Sequence, residues 1–371
     1  MPSYRYLWRA VKDKFRKNRG VHFHDIAYIE CTEEMVFLKE KFSLPDYLDI
    51  EGKSHRFFEG YDTTIPPFYV RSIKNGLCYT SGEEVYTSDG QVIVDHTRPP
   101  QIPPVRWRRF LKNVTYVKGK VAHLGLMGLE NNYYHWLIDC LGCLSLLIKS
   151  HFYPDFYILS NTLSFQKQWL KLLGIKEEQI IPANQFIQAE EIIVFDFINN
   201  WRLVDFRGYR HYQRQWLPHW ITDIYKNIVP YTTRQKKKKN IYISRQNAPY
   251  RAILNEKDLF SLLDKYNFTV VYLENLPVEK QIEVFVNAKT VVGIHGAGLT
   301  NSIFSDPGTP VLEINTQYYH DSSYRVLLSQ TGHIYHYLIG ETYNTSVPPK
   351  EENVYIEPER FDSALKTVST L

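Results

Sequence analysis

The residues with types and spacings suited to chemistry begin with His295-Gly296-Ala297-Gly298, which breaks the apolar run Val291 to Ile294 and leads into Leu299-Thr300-Asn301. A strand, a glycine turn and a helix in succession aim free backbone N–H groups and the positive end of a helix dipole at one point, which suits a phosphate. The glycines alone fit equally a tight turn with no ligand. His295 adds a titratable group at the carboxyl end of a strand, where α/β sheets hold ligands. Arg245 and Arg251 follow the strand-like Ile241-Tyr242-Ile243. Arginine there is suited to bidentate contact with phosphate, with a surface salt bridge as the alternative. His135 and Asp139 are spaced i,i+4 on a helical pattern, so both can project from one face. A carboxylate that orients an imidazole makes a plausible general base, and the same pair can also be structural. Asn255-Glu256 opens another helical stretch and reads either as a reserve base or as a cap.

Several familiar chemistries are disfavoured. Gly296 to Asn301 resembles the first part of GxGxxG, but Asn301 stands where the third small residue belongs and the motif comes late in the chain, which argues against a dinucleotide dehydrogenase. There is no GxxxxGK[ST] and no Asp-x-Asp, the arrangement that would hold a divalent ion on a nucleotide diphosphate. Cys140 and Cys143 form a CxxC inside an apparent helix without a second pair, and read as small core residues.

The elements that must position these groups follow from periodicity. Val291 to Ile294 and Pro310 to Ile314 read as strands, with Leu299 to Phe304 opening a helix between them and Asp306-Pro307-Gly308 as a turn. Upstream, Phe268 to Leu273 reads as a strand and Pro277 to Ala288 as a helix, so residues 240–345 make one βα domain. Earlier, Phe68 to Val70, Val92 to Val94 and Tyr116 to Gly125 read as strands, among turn signals such as Lys74-Asn75-Gly76. A helix capped by Asn131 or Asn132 follows. Phe156 to Leu159, Leu163 to Leu173, Gln179 to Ile181 and Ile192 to Phe195 alternate as strand, helix, strand, strand, which suggests a parallel sheet covered by helices. Gly208 to Val229 reads as a long helix kinked at Pro218. The expected division is 1–233, 240–345 and a tail 346–371 whose helix packs back on the first domain. Arg98 to Pro104 is a proline-rich extended connection, and Lys236 to Lys239 a solvated linker.

The chain has 371 residues, enough for two domains, and 44% hydrophobic content with 23% charged residues is that of an ordinary globular protein. A net charge of +4 is too small to imply nucleic acid. With 28 Tyr, 20 Phe and 7 Trp, aromatic clefts for sugars or bases are available, as are aromatic cores. Four cysteines are too few for a disulfide framework. No run is long enough to span a membrane and no signal peptide is visible, so the expected compartment is the cytoplasm. Met1 to Gly20 is basic with Tyr4, Leu7, Trp8, Val11 and Phe15 at helical spacing. It reads as a solvated surface helix or as a peripheral contact with the inner face of a membrane.

Three blocks taken together carry a resemblance. Asn132 to Asp139, then Tyr242-Ile243-Ser244-Arg245 with Arg251, Asn255 and Glu256, then His295 to Asn301 with Glu313, resemble glycosyltransferase family 61 in order and spacing. Without a membrane anchor in view, the chain looks most like the family's bacterial branch of capsular polysaccharide synthesis. The resemblance implies an α/β protein of GT-B architecture, two Rossmann-like domains facing across a cleft. It implies an inverting transfer from a nucleotide sugar, UDP-linked by expectation, to a glycan or lipid-linked glycan, with no essential metal or other cofactor. By position it implies a nucleotide-sugar site at Ser244, Arg245, Arg251, Asn255, His295, Gly296, Ala297, Gly298, Leu299, Thr300, Asn301 and Glu313, with Glu313 on the ribose. His135 with Asp139 is then the base and Glu256 the reserve. A non-catalytic binding protein of the same fold, or a nucleotide-sugar hydrolase or epimerase, are the competing readings.

Overall fold

A computed structural model describes residues 30–82, 84–93, 114–124, 130–196, 198, 201–206, 209–228, 238–343 and 346–371. The basic stretch Met1 to Gly20, the proline-rich connection Arg98 to Pro104 and the first two residues of the Lys236 to Lys239 run lie outside the described residues. Contacts divide the chain into two compact units, Met1–Lys39 with Pro66–Ile198, and Glu40–Ile65 with Asn199–Leu371. This departs from the expected boundary at 233, because an early excursion and everything after 199 join the second unit.

The first unit opens with β1 (Cys31–Phe37). The next two strands, β2 (Glu40–Leu44) and β3 (Tyr61–Ile65), belong to the second unit and pair antiparallel with each other. The chain returns with β4 (Phe68–Lys74), β5 (Leu77–Tyr79), β6 (Val85–Tyr86), β7 (Val114–His123), β8 (Phe156–Ile158) and β9 (Phe186–Phe195). These complete a seven-stranded sheet around β9. Ile187, Ala189, Ile192 and Val194 of β9 are all buried in its core, as befits a central strand. The sheet is mixed, not the parallel one expected. β7 runs parallel to β8 and β9, while β4 and β5 run antiparallel to β9. Short apolar runs identify strands but carry no direction, so the periodicity could not have shown this. Lys74-Asn75-Gly76 is not a reversal either. Asn75 takes φ 52, yet β4 and β5 continue along the same edge of β9, joined by Asn75 N–H to Glu190 C=O and Ala189 N–H to Gly76 C=O. Val92 forms only an isolated bridge with Tyr86.

In the second unit, β10 (Trp201–Phe206) and β11 (Tyr209–Arg214) form an antiparallel hairpin. The long helix expected over Gly208 to Val229 is therefore absent. Aromatic-rich runs favour strands and Gly208 between them weakens a helix, and both outweigh the apolar spacing. Pro218 caps a 3-10 helix at His219–Tyr225 and kinks nothing. Then come β12 (Lys239–Ile243), β13 (Phe268–Val271), β14 (Ala288–Ile294), β15 (Pro310–Asn315) and β16 (Ile334–Ile339). All neighbours are parallel, in the spatial order β13-β12-β14-β15-β16. Tyr242, Val292, Ile294, Leu312, Ile314 and Leu338 share one core cluster with Leu259, Leu263, Phe361, Ala364, Leu365 and Val368. The C-terminal helix Pro358–Thr370 thus covers this sheet, and the expectation that it crosses the first domain fails. Its apolar residues at i, i+3, i+4 and i+7 match the parallel strands, whose near-continuous apolar runs need cover on both faces.

Candidate functional site

Parallel order alone locates the site of the second unit. Strand order reverses between β12 and β14, which are paired in register through Ile243 and Gly293. In doubly wound sheets that reversal leaves a crevice beyond the strands' carboxyl ends. Ser244-Arg245 leaves β12 there and His295-Gly296 leaves β14 there. Ala297–Phe304 continues as a 3-10 helix, tighter than the α-helix expected, with the Leu299 N–H bonded to the Gly296 carbonyl and the N–H groups of Ala297 and Gly298 ahead of it.

Gly296 matters here for space. Its φ of 177 is extended backbone open to any residue, but a Cβ built on it would run into the Arg245 guanidinium. Arg245 Nη2 donates to the Tyr250 carbonyl at 3.2 Å, and its guanidinium lies 5.9 Å from the Tyr250 ring centroid. Arg251 adopts φ 55, a left-handed conformation uncommon for a side-chain-bearing residue, and sits 5.1 Å from the Tyr250 and 5.8 Å from the Tyr319 ring centroids. The Nε atoms of both arginines are buried and have no hydrogen-bond acceptor. Burial, and then the charge of Arg251, pull the pKa of Arg245 below its ordinary value. Two guanidiniums that repel each other, each with a buried Nε lacking an acceptor, are suited to receive an anion.

His295 is buried beside them. Its Nδ1 meets Glu313 Oε1 at 2.5 Å, and Glu313 Oε2 accepts from the Tyr335 hydroxyl at 2.6 Å. Tyr319 and Tyr324 pack edge-on to the imidazole at 5.5 and 5.2 Å between centroids. Glu313 thus holds the ring by Nδ1 and leaves Nε2 on the far side. With both oxygens committed and no exposure, Glu313 does not have the free carboxylate expected for a ribose.

Other expected residues form the frame. Glu256 accepts from Tyr242 OH at 2.8 Å and from Ser244 Oγ at 2.9 Å, and is buried. A carboxylate so engaged ties β12 to the following turn, which removes Glu256 as a reserve base. Asn255 exchanges two bonds with the Ile356 backbone, at 2.7 and 3.1 Å, and pins the C-terminal segment. Asn301 Nδ2 donates to Gln281, and Thr300 Oγ1 lies 3.5 Å from Tyr324 OH. Leu299 is core. Arg245, Arg251, His295 and the backbone of Gly296, Ala297 and Gly298 are left to meet a ligand. The tyrosines 250, 319, 324 and 335 were not singled out from the sequence. Tyr319 could have been found, since it follows β15 at the carboxyl edge of the sheet.

In the first unit, Asn132 caps a helical segment over 133–149, its Oδ1 accepting from Tyr134 N at 2.9 Å. A π-turn at Trp136–Cys140 interrupts it, a device frequent at functional sites. His135 Nδ1 lies 2.6 Å from Asp139 Oδ2; Asp139 is buried and the imidazole is partly open. Nδ1 directed at a carboxylate leaves Nε2 as the proton acceptor. Cys140 and Cys143 are buried free thiols, and burial holds the Cys140 pKa far above its usual value, as core residues require. Among the described residues no three His, Cys, Asp or Glu side chains form a metal-binding group, and no helix is long and apolar enough to cross a membrane.

Residues 133–312, just under half of the chain, match the family model Glycosyltransferase 61. A 79-residue stretch is 39% identical to the EGF domain-specific O-linked N-acetylglucosamine transferase of Drosophila melanogaster, covering 20% of this chain and 15% of that protein. The family match takes in both His135 and the Arg245-to-Leu312 region. The two similarities agree on a glycosyltransferase.

Proposed function

We propose that this glycosyltransferase is of family 61, inverting and metal-independent, with a GT-B arrangement in which the second unit grips the diphosphate of a UDP-sugar and the first supplies the base. The observation that carries the reading is the pair Arg245 and Arg251, with buried Nε atoms lacking acceptors, at the switch point beside Gly296. In the transfer, the acceptor oxygen attacks the anomeric carbon and its proton passes to Nε2 of His135. The bond from that carbon to the phosphate oxygen breaks, and its electrons leave with UDP. The two guanidiniums and the amides of Gly296 to Gly298 face that growing negative charge as preorganised donors, joined by His295 when its Nε2 carries a proton. Asp139 keeps the His135 imidazole in the accepting tautomer and stabilises it once protonated.

The name of the fly relative makes N-acetylglucosamine the first donor sugar to test. The acceptor class is a glycan or glycoconjugate, lipid-linked ones included, with cell-surface polysaccharide synthesis at the inner face of a membrane as the setting and Met1 to Gly20 as the segment touching it. The oriented His135–Asp139 pair favours catalysis over mere binding, and a transferase over a hydrolase is read from products: UDP release that depends on an added acceptor.

The test is calorimetric titration of the purified chain with UDP, GDP and CMP in excess EDTA, followed by transfer assays with a panel of nucleotide sugars. UDP is expected to bind without metal, and Arg245→Ala to weaken binding at least about tenfold, the worth of one charge-assisted contact. Binding of none of the three nucleotides overturns the reading. Transfer abolished by chelation and restored by manganese overturns its metal-free part.

A further inference from the structure

A second cavity of about 600 Å³ lies within the second unit, lined by residues of the Arg56-to-Thr63 stretch, the end of β11 and the start of the helix Ser323–Gln330. Arg325 lines it and is only 4% exposed. Its Nη1 donates to the Glu59 carbonyl at 3.0 Å, but its Nε is buried with no acceptor. The guanidinium stands 5.7 Å from the Phe58 ring centroid. Among the described residues it forms no ion pair. An unpaired guanidinium taken out of water is costly, and a protein keeps one where an anion visits.

The rest of the lining says what carries that anion. Phe57 is a wall residue whose ring packs with His55, His320 and the Arg56 guanidinium; Asp62 adds an exposed carboxylate, and Gln213 and Tyr61 add side chains held by bonds to the His320 and Gln215 carbonyls. A carboxylate that accepts hydrogen bonds from hydroxyls, fixed amide and phenol groups, and the buried guanidiniums of Arg325 and Arg214 together match a sugar ring with a charged substituent. The volume falls within the roughly 300–1,000 Å³ of small-molecule sites. Seven of the twelve lining residues precede the family match and two follow it, so most of this cavity lies outside the matched stretch.

We propose that this cavity is a subsite for an anionic saccharide, a sugar carboxylate or sugar phosphate seated on Arg325. It does not depend on the donor site, whose arginines are different ones. Ligand-observed NMR titrations of the full chain with glucuronic acid, glucose 6-phosphate and glucose test it. One or both anionic sugars are expected to bind at least about tenfold tighter than glucose, and the two arms separate carboxylate from phosphate. Arg325→Met should abolish that preference. Because a buried change can unfold the chain, Thr63→Trp, at a half-buried position of β3 on the cavity wall, provides a second variant and should block all three sugars. UDP titration of the same samples reads the other site and the fold, and should be unchanged. Equal binding of glucose and the anionic sugars, binding of none, or full anionic binding by Thr63→Trp overturns the proposal.

Discussion

Replacing Gly296 by Ala isolates the arrangement on which the proposed donor site rests. The backbone there is extended, so alanine adds no backbone strain. The new methyl meets the guanidinium of Arg245, with Cζ at 3.1 Å and Cδ at 3.3 Å from the ideal Cβ position. The obstacle is the end of a flexible side chain, so the arginine swings aside and the fold survives. What is lost is the placement of one cation against the diphosphate, about 1.5–3 kcal/mol for a hydrogen bond to a charged group. That is roughly a tenfold to hundredfold rise in the UDP dissociation constant. Calorimetry measures it, with thermal melts to show that stability is retained. A double-mutant cycle sharpens the test. If the methyl acts only by displacing Arg245, it costs nothing in an Arg245→Ala background, and the coupling equals its whole effect. Gly298→Ala is the contrast. There the built Cβ lies 2.8 Å from Leu273 Cδ1, an apolar contact, so the change should cost stability by overpacking, about 1–3 kcal/mol. Wild-type UDP affinity in Gly296→Ala, or additivity with Arg245→Ala, would refute the reasoning.

Other consequences can be read with the same assays. His135→Ala should slow transfer by about a hundredfold or more while leaving UDP affinity intact, as expected for a base on the acceptor side; loss of UDP binding would place it on the donor instead. Glu313→Ala should strand His295 Nδ1 and the Tyr335 hydroxyl without their acceptor, at about 1–3 kcal/mol of stability for each group, and Glu313→Gln should be milder; equal melting temperatures for the three proteins would deny Glu313 its place. His333 sets a pH dependence. Burial lowers its pKa from 6.5 to about 4. Unfolded chains take up that proton below about 6.5 and the folded protein only below about 4, so stability is full above the window, falls as pH drops through it and levels off beneath it. The loss is at most roughly 3 kcal/mol, and His333→Asn should lessen, without abolishing, the fall in melting temperature between pH 6.5 and 4, because burial lowers His123 to about 4 as well; an unchanged slope would count against it.

The second unit was the more legible part. Its strands are continuous apolar runs punctuated by glycine and proline, and β12 to β15 with the His295 turn fall close to where periodicity puts them. The first unit and the boundary were not legible, because they depend on which strand pairs with which. Nothing local in Glu40 to Ile65 shows that it folds with residues two hundred positions later. The site divided along the same line. Arg245, Arg251 and the glycine turn are named by position after a strand. The roles of Glu313, Glu256 and Asn255 are set by partners in neighbouring strands and in the C-terminal segment. One signal was available: Glu313 is the sole charged residue of a strand that is apolar apart from Asn315 at its end, and a buried carboxylate must have partners. His295, ending the adjacent strand, was the nearest candidate.

The two arginines explain why the frame around them is so elaborate. Burial, and then the nearby charge of Arg251, disfavour the charge on Arg245, so the site works against the stability of the free protein. Arg251 is moreover held at a positive φ. Such a place persists only if surrounding interactions over-determine it. The surroundings do so: Glu256 ties Tyr242 to Ser244 just before Arg245, Asn255 fastens the chain after Arg251 to Ile356, and the Tyr250 carbonyl holds one end of Arg245. A bound diphosphate reverses the sign of the electrostatics, so the strain stored in the free protein is released on binding. Nucleotide should therefore raise the melting temperature, with a gain of about 2.7 kcal/mol at a hundredfold excess over the dissociation constant. Arg251→Gly, which relieves both the repulsion and the backbone conformation, should stabilise the free protein while shrinking that gain. A variant less stable than wild type without nucleotide would show that the site stores no strain.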